Sequence, residues 1–340
     1  MKALENLRVI EFAGLGPGPF AAMTLADMGV HVTRITRPGP ARPNPAAGAF
    51  LDRGRTDLPL DLKSPDGREA ARALIQQADA VIEGFRPGKM ESLGLGPDDL
   101  MPLNPRLVYG RMTGWGQTGP MAHLAGHDLN YLGLTGMLSL MGDKDRPPTP
   151  PLNLVSDFGG GGMYLVFGLI CAMWQAQVTG QGQVVDAAMI HGTTHLASFV
   201  HGRMAQGAWV DGRGNNALDG GAPFYRTYET RDGRYMAVAG IEPVFFANMI
   251  RTLGLDERFI AGQGDRTLWP ELTEVLRQTF LTRDFADWVA VFADVDACVT
   301  PVLTVEEARS HPQMEGCFVA ADGHLQPSPA PRMAPWTPKS

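Results

Sequence analysis

Apolar and polar positions alternate in blocks whose period switches between that of a strand and that of a helix. Leu7 to Phe12 reads as a strand, 17–28 as a helix and Val30 to Ile35 as a second strand. Thr56 to Leu62 predicts a short strand, and Ser64-Pro65-Asp66-Gly67 opens a helix to about Gln77, with Ser64 as its cap and Pro65 in the first turn. Ala80 to Glu83 and Leu107 to Gly110 are two further strands. Short apolar strands alternating with helices predict a parallel sheet covered on both faces. An apolar helix then starts near Ser156. Its densest run, Met163 to Trp174, has twelve residues, which reads as a buried core helix too short to span a bilayer. Gln183 to Asp186 resumes a strand, and 202–222 forms a glycine-rich connection. Phe224 to Glu229 and Arg234 to Ala239 alternate about Asp232-Gly233, the pattern of a hairpin. Helices are expected at 243–253 and 268–292, and the last twenty residues, with five prolines, predict an extended tail lying on another surface.

The glycine-rich turn after the first strand, Gly14-Leu15-Gly16-Pro17-Gly18-Pro19, raises the question of a dinucleotide cofactor. Two departures argue against NAD. The third glycine position is Pro19, and the second strand ends in Arg34-Ile35-Thr36-Arg37 where an acid is needed for the ribose hydroxyls. A basic residue there suits a ribose phosphate, which both NADP and coenzyme A carry. Lys63 and Arg86 recur just beyond later strands, at the edge where parallel sheets place ligands, so an anion site is expected there.

The net charge of −7 argues against nucleic acid as a partner. Cys171, Cys298 and Cys317 are isolated, which excludes a disulfide scaffold and suits a reducing compartment. Charges at Lys2, Glu5 and Arg8 interrupt any signal-like apolar core, and the terminal Pro-Lys-Ser is no peroxisomal address, so the cytoplasm is expected, with no membrane partner. The histidines His191, His195 and His201 lack a neighbouring acid and read as structural; no metal site is expected.

Candidate chemistry gathers in three places. These are Gly126-His127-Asp128-Leu129-Asn130-Tyr131, then Asn153-Leu154-Val155-Ser156-Asp157-Phe158 followed by four glycines, and Gly240-Ile241-Glu242-Pro243. Asp157 at the mouth of the apolar helix also reads as a helix cap, and His127 also reads as a structural histidine. A carboxylate such as Glu242 facing His127 would raise its basicity. Together with Gly84-Phe85-Arg86-Pro87-Gly88, Asp219 to Tyr225 and Ala297 to Val302, these stretches resemble the motifs of the family III CoA-transferases, and within them the α-methylacyl-CoA racemases.

The resemblance implies an α/β protein of the family III CoA-transferase fold. A Rossmann-like large CoA-binding domain would span 1–200, a linker 201–222 and a smaller α+β domain 223–317, with the tail 318–340 returning to the large domain. Two chains would interlock as a homodimer, the small domain of one completing the site of the other. It implies an isomerase that interconverts (R)- and (S)-2-methylacyl-CoA by proton transfer through an enolate. His127 would serve the S form, Asp157 the R form, and Glu242 would support His127. Backbone amides near His127-Asp128 would stabilise the enolate oxygen. No cofactor is needed beyond the coenzyme A of the substrate. Its contacts carry over onto Arg37, onto Leu60, Asp61, Leu62 and Lys63, onto Gly84, Phe85 and Arg86, and onto Gly126, Asp128, Asn130 and Tyr131. Ser92 stands where close relatives have an arginine, so a phosphate contact there is either absent or supplied by Lys89. The main rival is a CoA-transferase with Asp157 as nucleophile; an NADP-dependent oxidoreductase reading Arg37 and a catalytically dead CoA-binding module are the others. Methionine-rich stretches near the motifs, with Met112, Met137, Met141 and Met163, suit a surface over which an acyl chain slides, or simple gap-filling in a core.

Overall fold

The computed structural model describes residues 2–39, 49–321 and 323–334; most of the loop expected at 38–48 and residues 335–340 of the expected tail lie outside them. Among the described residues six strands form a wholly parallel sheet. They are β1 (Arg8–Phe12), β2 (His31–Thr36), β3 (Arg55–Pro59), β4 (Ala80–Glu83), β5 (Val108–Thr113) and β6 (Val184–Ala188), in the order β3-β2-β1-β4-β5-β6. β4 and β5 are buried along their whole length, as strands covered on both faces must be. The strand order reverses between β1 and β4, so a crevice opens at their carboxyl ends.

Charge is buried in this sheet as well. Arg55 of β3 pairs with Glu11 of β1 at 2.7 Å, both side chains fully buried. Burial raises the Glu11 carboxyl above its ordinary range, and the Arg55 guanidinium opposes that rise. Arg34 of β2 is held by Asp57 at 2.7 Å and by Asp52 at 2.5 Å. It is therefore committed to the sheet, whereas Arg37, just beyond the end of β2, is exposed.

The chain divides into two compact units, Met1–Thr135 with Pro151–Ser198 and Val319–Ser340, and Gly136–Pro150 with Phe199–Phe318. In the first, the helix Pro65–Ile75 begins as expected: Ser64 Oγ accepts from the Gly67 N–H at 3.0 Å. The tail is more ordered than an extended segment. Its strands β10 (Phe318–Ala321) and β11 (His324–Pro327) pair, and Arg53 donates to Gln326 and to the Pro327 carbonyl.

The second unit holds β7 (Arg226–Glu229), β8 (Tyr235–Val238) and β9 (Val299–Pro301) in an antiparallel sheet. The hairpin matches its expectation; β9 joins β8 from far along the chain, Val299 opposite Val238, where no local pattern shows it. An aromatic core of Phe224, Tyr228, Phe246, Trp269, Phe280 and Trp288 covers one face. The helix expected over 268–292 is two, Trp269–Phe280 and Phe285–Phe292. The break is fixed from outside: Arg231 grips Asp284 at 2.8 Å, and Asp232 accepts from the Phe285 N–H at 3.0 Å. The connection at 202–222 likewise starts inside a helix, Ser198–Ala205. Gly136–Pro150 belongs with this unit because the Arg213 guanidinium donates to the carbonyls of Ser139, Asp143 and Arg146.

The apolar helix exceeds the twelve residues of its densest run. Helical winding is continuous over Leu154–Thr179, and its most apolar window has a mean hydropathy of 1.5, enough by length and composition to cross a membrane. It carries Asp157, and Leu165, Val166, Leu169, Ala172, Met173 and Ala176 are buried in the core of the first unit, so we read it as a core helix.

Candidate active site

Two adjoining cavities occupy the crevice at the carboxyl ends of the parallel strands. One, of 570 Å³, is lined by His127, Asp157, Asp128, Gly16, Arg86 and Tyr131 among others. The other, of 1100 Å³, is lined by Arg37, by Leu60 to Lys63 and by Lys89. Phe12, Gly14, Leu15 and Phe85 line both, so the loops after β1 and β4 form the junction. This is what the opening glycine turn does. Gly16 adopts φ +66, a conformation that L side chains rarely take, and the position of its missing Cβ lies 3.9 Å from Asp157 Oδ2.

Asp157 is carried on an unusual element. Leu154–Met163 winds as a π-helix before tightening into the α-helix Tyr164–Thr179. The four glycines that follow Phe158 explain how it packs. A Cβ on Gly160 would meet the Thr193 backbone nitrogen at 2.7 Å, one on Gly161 the Met189 side chain at 2.7 Å, and one on Gly162 the Phe20 ring at 2.6 Å. From the facing helix, Met189–Leu196, a Cβ on Gly192 would stand 1.8 Å from the Gly160 carbonyl oxygen. Backbone thus lies on backbone, and the wide turn holds Asp157 at the cavity wall. The reading of Asp157 as a simple helix cap is corrected by this: it sits inside the turn, four residues after Asn153.

Asp128 ties the two candidate acid–base segments together. It directly follows His127, is buried, and its Oδ2 accepts from the N–H groups of Ser156 at 2.7 Å and Asp157 at 2.8 Å. Burial first, and the Asp128 carboxylate second, raise the Asp157 carboxyl above its ordinary range; a hydrogen bond with Asn153 and the charge of His127 act the other way. His127 is exposed at the cavity wall, at the start of the short helix Asp128–Leu134. Its N–H donates to Asn130 Oδ1 at 3.0 Å, and the Asn130 N–H donates back to the His127 carbonyl at 2.8 Å. Tyr131 donates from its hydroxyl to the Gly126 carbonyl at 2.6 Å and packs edge-on to Trp115.

Of the residues singled out in the sequence, the smaller cavity collects His127, Asp157, Gly84, Phe85, Arg86, Gly126, Asp128 and Tyr131. The larger collects Arg37, Leu60, Asp61, Leu62 and Lys63, with Phe85 again. Asn130 lines neither and instead fixes the backbone of His127. Lys89 lines the larger cavity, while the Ser92 hydroxyl turns back onto the Lys89 carbonyl at 2.7 Å. Glu242 stands exposed in the second unit at the start of the helix Pro243–Thr252. Its turn is held by Gln263, which donates to the Ile241 carbonyl at 2.7 Å. His195 is bound to the Tyr164 hydroxyl at 2.6 Å. Asn153 opens a stretch that the sequence singles out, but sequence reading gave it no role beside Asp157; Gln263, which no pattern signals, was missed.

Fold and site together define a class. Residues 4–338 match the CoA-transferase family III profile, and the chain belongs to that family. Within it, the chain is 45% identical to the alpha-methylacyl-CoA racemase of Mus musculus, over 96% of this chain and 85% of that protein. It is also 45% identical to the alpha-methylacyl-CoA racemase of Homo sapiens, over 97% of this chain and 86% of that protein. Among solved structures, a CAIB/BAIF family protein from Brucella suis superposes with a TM-score of 0.81 at 28% identity, covering 98% of this chain and 93% of that one.

Proposed function

We propose that this chain is an isomerase that racemises 2-methylacyl-CoA thioesters. The observation that carries the proposal is that His127 and Asp157, two acid–base groups of different type, line one cavity that adjoins a groove bearing Arg37, Lys63 and Lys89. The nucleotide and its phosphates lie in that groove, and the thioester reaches past Phe85 into the smaller cavity. The identity to named racemases supports the substrate class.

The hydrogen next to a thioester carbonyl is weakly acidic, so its removal needs a placed base and a stabilised enolate oxygen. From the S form, the His127 imidazole takes the proton; the C–H electron pair becomes the C=C bond of the enolate and the carbonyl π pair moves to oxygen. Asp157, protonated, then delivers its proton to the opposite face and the carbonyl re-forms. From the R form the roles reverse. The raised Asp157 carboxyl suits a group that must hold a proton in half of the cycle. Backbone N–H groups at the start of the helix that follows His127 serve the enolate oxygen. Glu242 orients His127 and is supplied by a second copy of the chain in an interlocked homodimer. The exposed apolar side chains Phe167, Trp174 and Val178, each more than two-thirds exposed on one helix, support burial against such a copy. Sedimentation should give twice the chain mass; a monomer at micromolar concentration would remove Glu242 from the mechanism.

The family also houses transferases, in which a carboxylate placed like Asp157 would attack the thioester, release the thiolate and carry the acyl group as an anhydride. That chemistry gives His127 no task. One enantiomer of a 2-methylacyl-CoA incubated in heavy water separates the readings. Deuterium at the α-carbon with loss of optical purity supports racemisation. CoA moving to an added free acid, without exchange, overturns it.

A further inference from the structure

Glu83, the last residue of β4, is only 4% exposed and lies immediately before the turn that joins the two cavities. One oxygen, Oε2, accepts from the Phe85 N–H at 2.8 Å; the other, Oε1, lies 3.7 Å from Arg111 Nε on β5. Arg111 is itself buried and is anchored by Gln117 at 2.6 Å and by Glu91 of the helix Lys89–Ser92. Phe85 lines both cavities, its ring 6.3 Å from that of Phe12, and Arg86 follows it at the wall of the smaller one. The placement of this turn therefore hangs on one buried carboxylate that touches neither cavity.

We infer that Glu83 is a positioning residue for substrate binding: its ionised carboxylate holds the Gly84–Arg86 turn in the geometry that admits coenzyme A at the junction. The inference rests on the reading of the two cavities as a CoA site. Among the described residues, the titratable groups that act on Glu83 come from neighbouring elements. Arg111 and Tyr109 stand on β5, Glu91 on the helix after the turn and Asp186 on β6. Burial pushes the Glu83 carboxyl up to about 7, with Glu91 and Asp186 adding to the rise and the Phe85 N–H and Arg111 opposing it. Protonation at mildly acidic pH weakens the acceptor and loosens the turn.

The test is calorimetric titration of coenzyme A itself into the full-length wild-type protein and Glu83→Gln, between about pH 6 and about pH 8.5, with kcat and KM over the same range. Glutamine keeps an oxygen for the Phe85 N–H but cannot ionise. The phosphates of CoA titrate identically against both proteins, so the difference between them reads Glu83. Wild-type affinity should exceed that of Glu83→Gln about fivefold at the alkaline end, with the two converging at the acid end. KM should follow affinity while kcat changes little. Glu83→Asp, which keeps a charge but draws it back from the Phe85 N–H, should bind CoA more weakly at every pH, and it provides the comparison should the glutamine variant not fold. A difference between wild type and Glu83→Gln that is independent of pH, or a loss confined to kcat, overturns the inference. Failure of the wild type to bind CoA at any pH overturns the underlying site assignment instead.

Discussion

Alanine at Gly192 tests the claim that backbone-on-backbone packing sets the position of Asp157. A Cβ at Gly192 would stand 1.8 Å from the Gly160 carbonyl oxygen, where ordinary contact begins at 3.4 Å. The two helices must therefore part by about 1.6 Å (3.4 − 1.8), because a carbonyl oxygen in a helix cannot swing aside as a side chain does. Gly160 lies three residues after Asp157 in the same wide turn, so the displacement reaches the carboxylate. A shift of about 1 Å in a reacting group costs on the order of 100-fold in rate, and overpacking of this kind costs roughly 1–3 kcal/mol of stability. Gly202→Ala is the control: it lies in the helix Ser198–Ala205, and a Cβ there meets nothing within 4 Å. The assay pairs kcat for racemisation with thermal unfolding of both variants. Gly192→Ala with the kcat and Tm of the control would refute the packing argument.

Three other outcomes follow from the charges. The Asp157 carboxyl is raised in the folded state, so the stability it contributes is complete below the unfolded value of 3.8 and is lost as pH rises through the folded value. Asp157→Asn should therefore abolish racemisation yet raise Tm at alkaline pH, with the gain vanishing at acid pH; differential scanning fluorimetry across pH reads this, and a Tm gain that grows towards acid pH would contradict it. Asp128→Asn removes the neighbouring charge that helps raise Asp157, so the acid limb of the kcat/KM profile should move to lower pH; an unmoved or alkaline-shifted limb would exclude that coupling. Glu11→Ala leaves the buried Arg55 with Asp52, at 3.1 Å, as its remaining carboxylate and should cost up to about 3–5 kcal/mol in denaturant unfolding, whereas a loss below about 1 kcal/mol would show that Asp52 and water compensate the Arg55 charge.

The parallel sheet was legible because β1, β4 and β5 are centred on short apolar blocks, and its helices carry local start signals such as Ser64. The hairpin was legible for the same reason, with Asp232-Gly233 at its turn. What escaped the sequence depends on partners far along the chain. The break between Phe280 and Phe285 is made by Arg231 and Asp232, and Gly136–Pro150 is drawn to the second unit by Arg213. The four glycines after Phe158 gave no periodic signal, since their function is to leave room for Thr193, Met189 and Phe20. The candidate site divides in the same way. His127, Asp157 and the candidate CoA contacts stood out through their resemblance to family motifs. That Asp128 binds the backbone of Asp157, and that Glu83 holds Phe85, follows from contacts no spacing announces.

The most direct test of the two-base account uses His127→Ala and Asp157→Ala with each enantiomer of a 2-methylacyl-CoA in heavy water, following the α-hydrogen by NMR. With one base gone, inversion should stop in both variants. His127→Ala should still exchange the α-hydrogen of the R form alone, and Asp157→Ala that of the S form alone. Inversion persisting in either variant, or exchange of both enantiomers by a single remaining residue, would contradict the account.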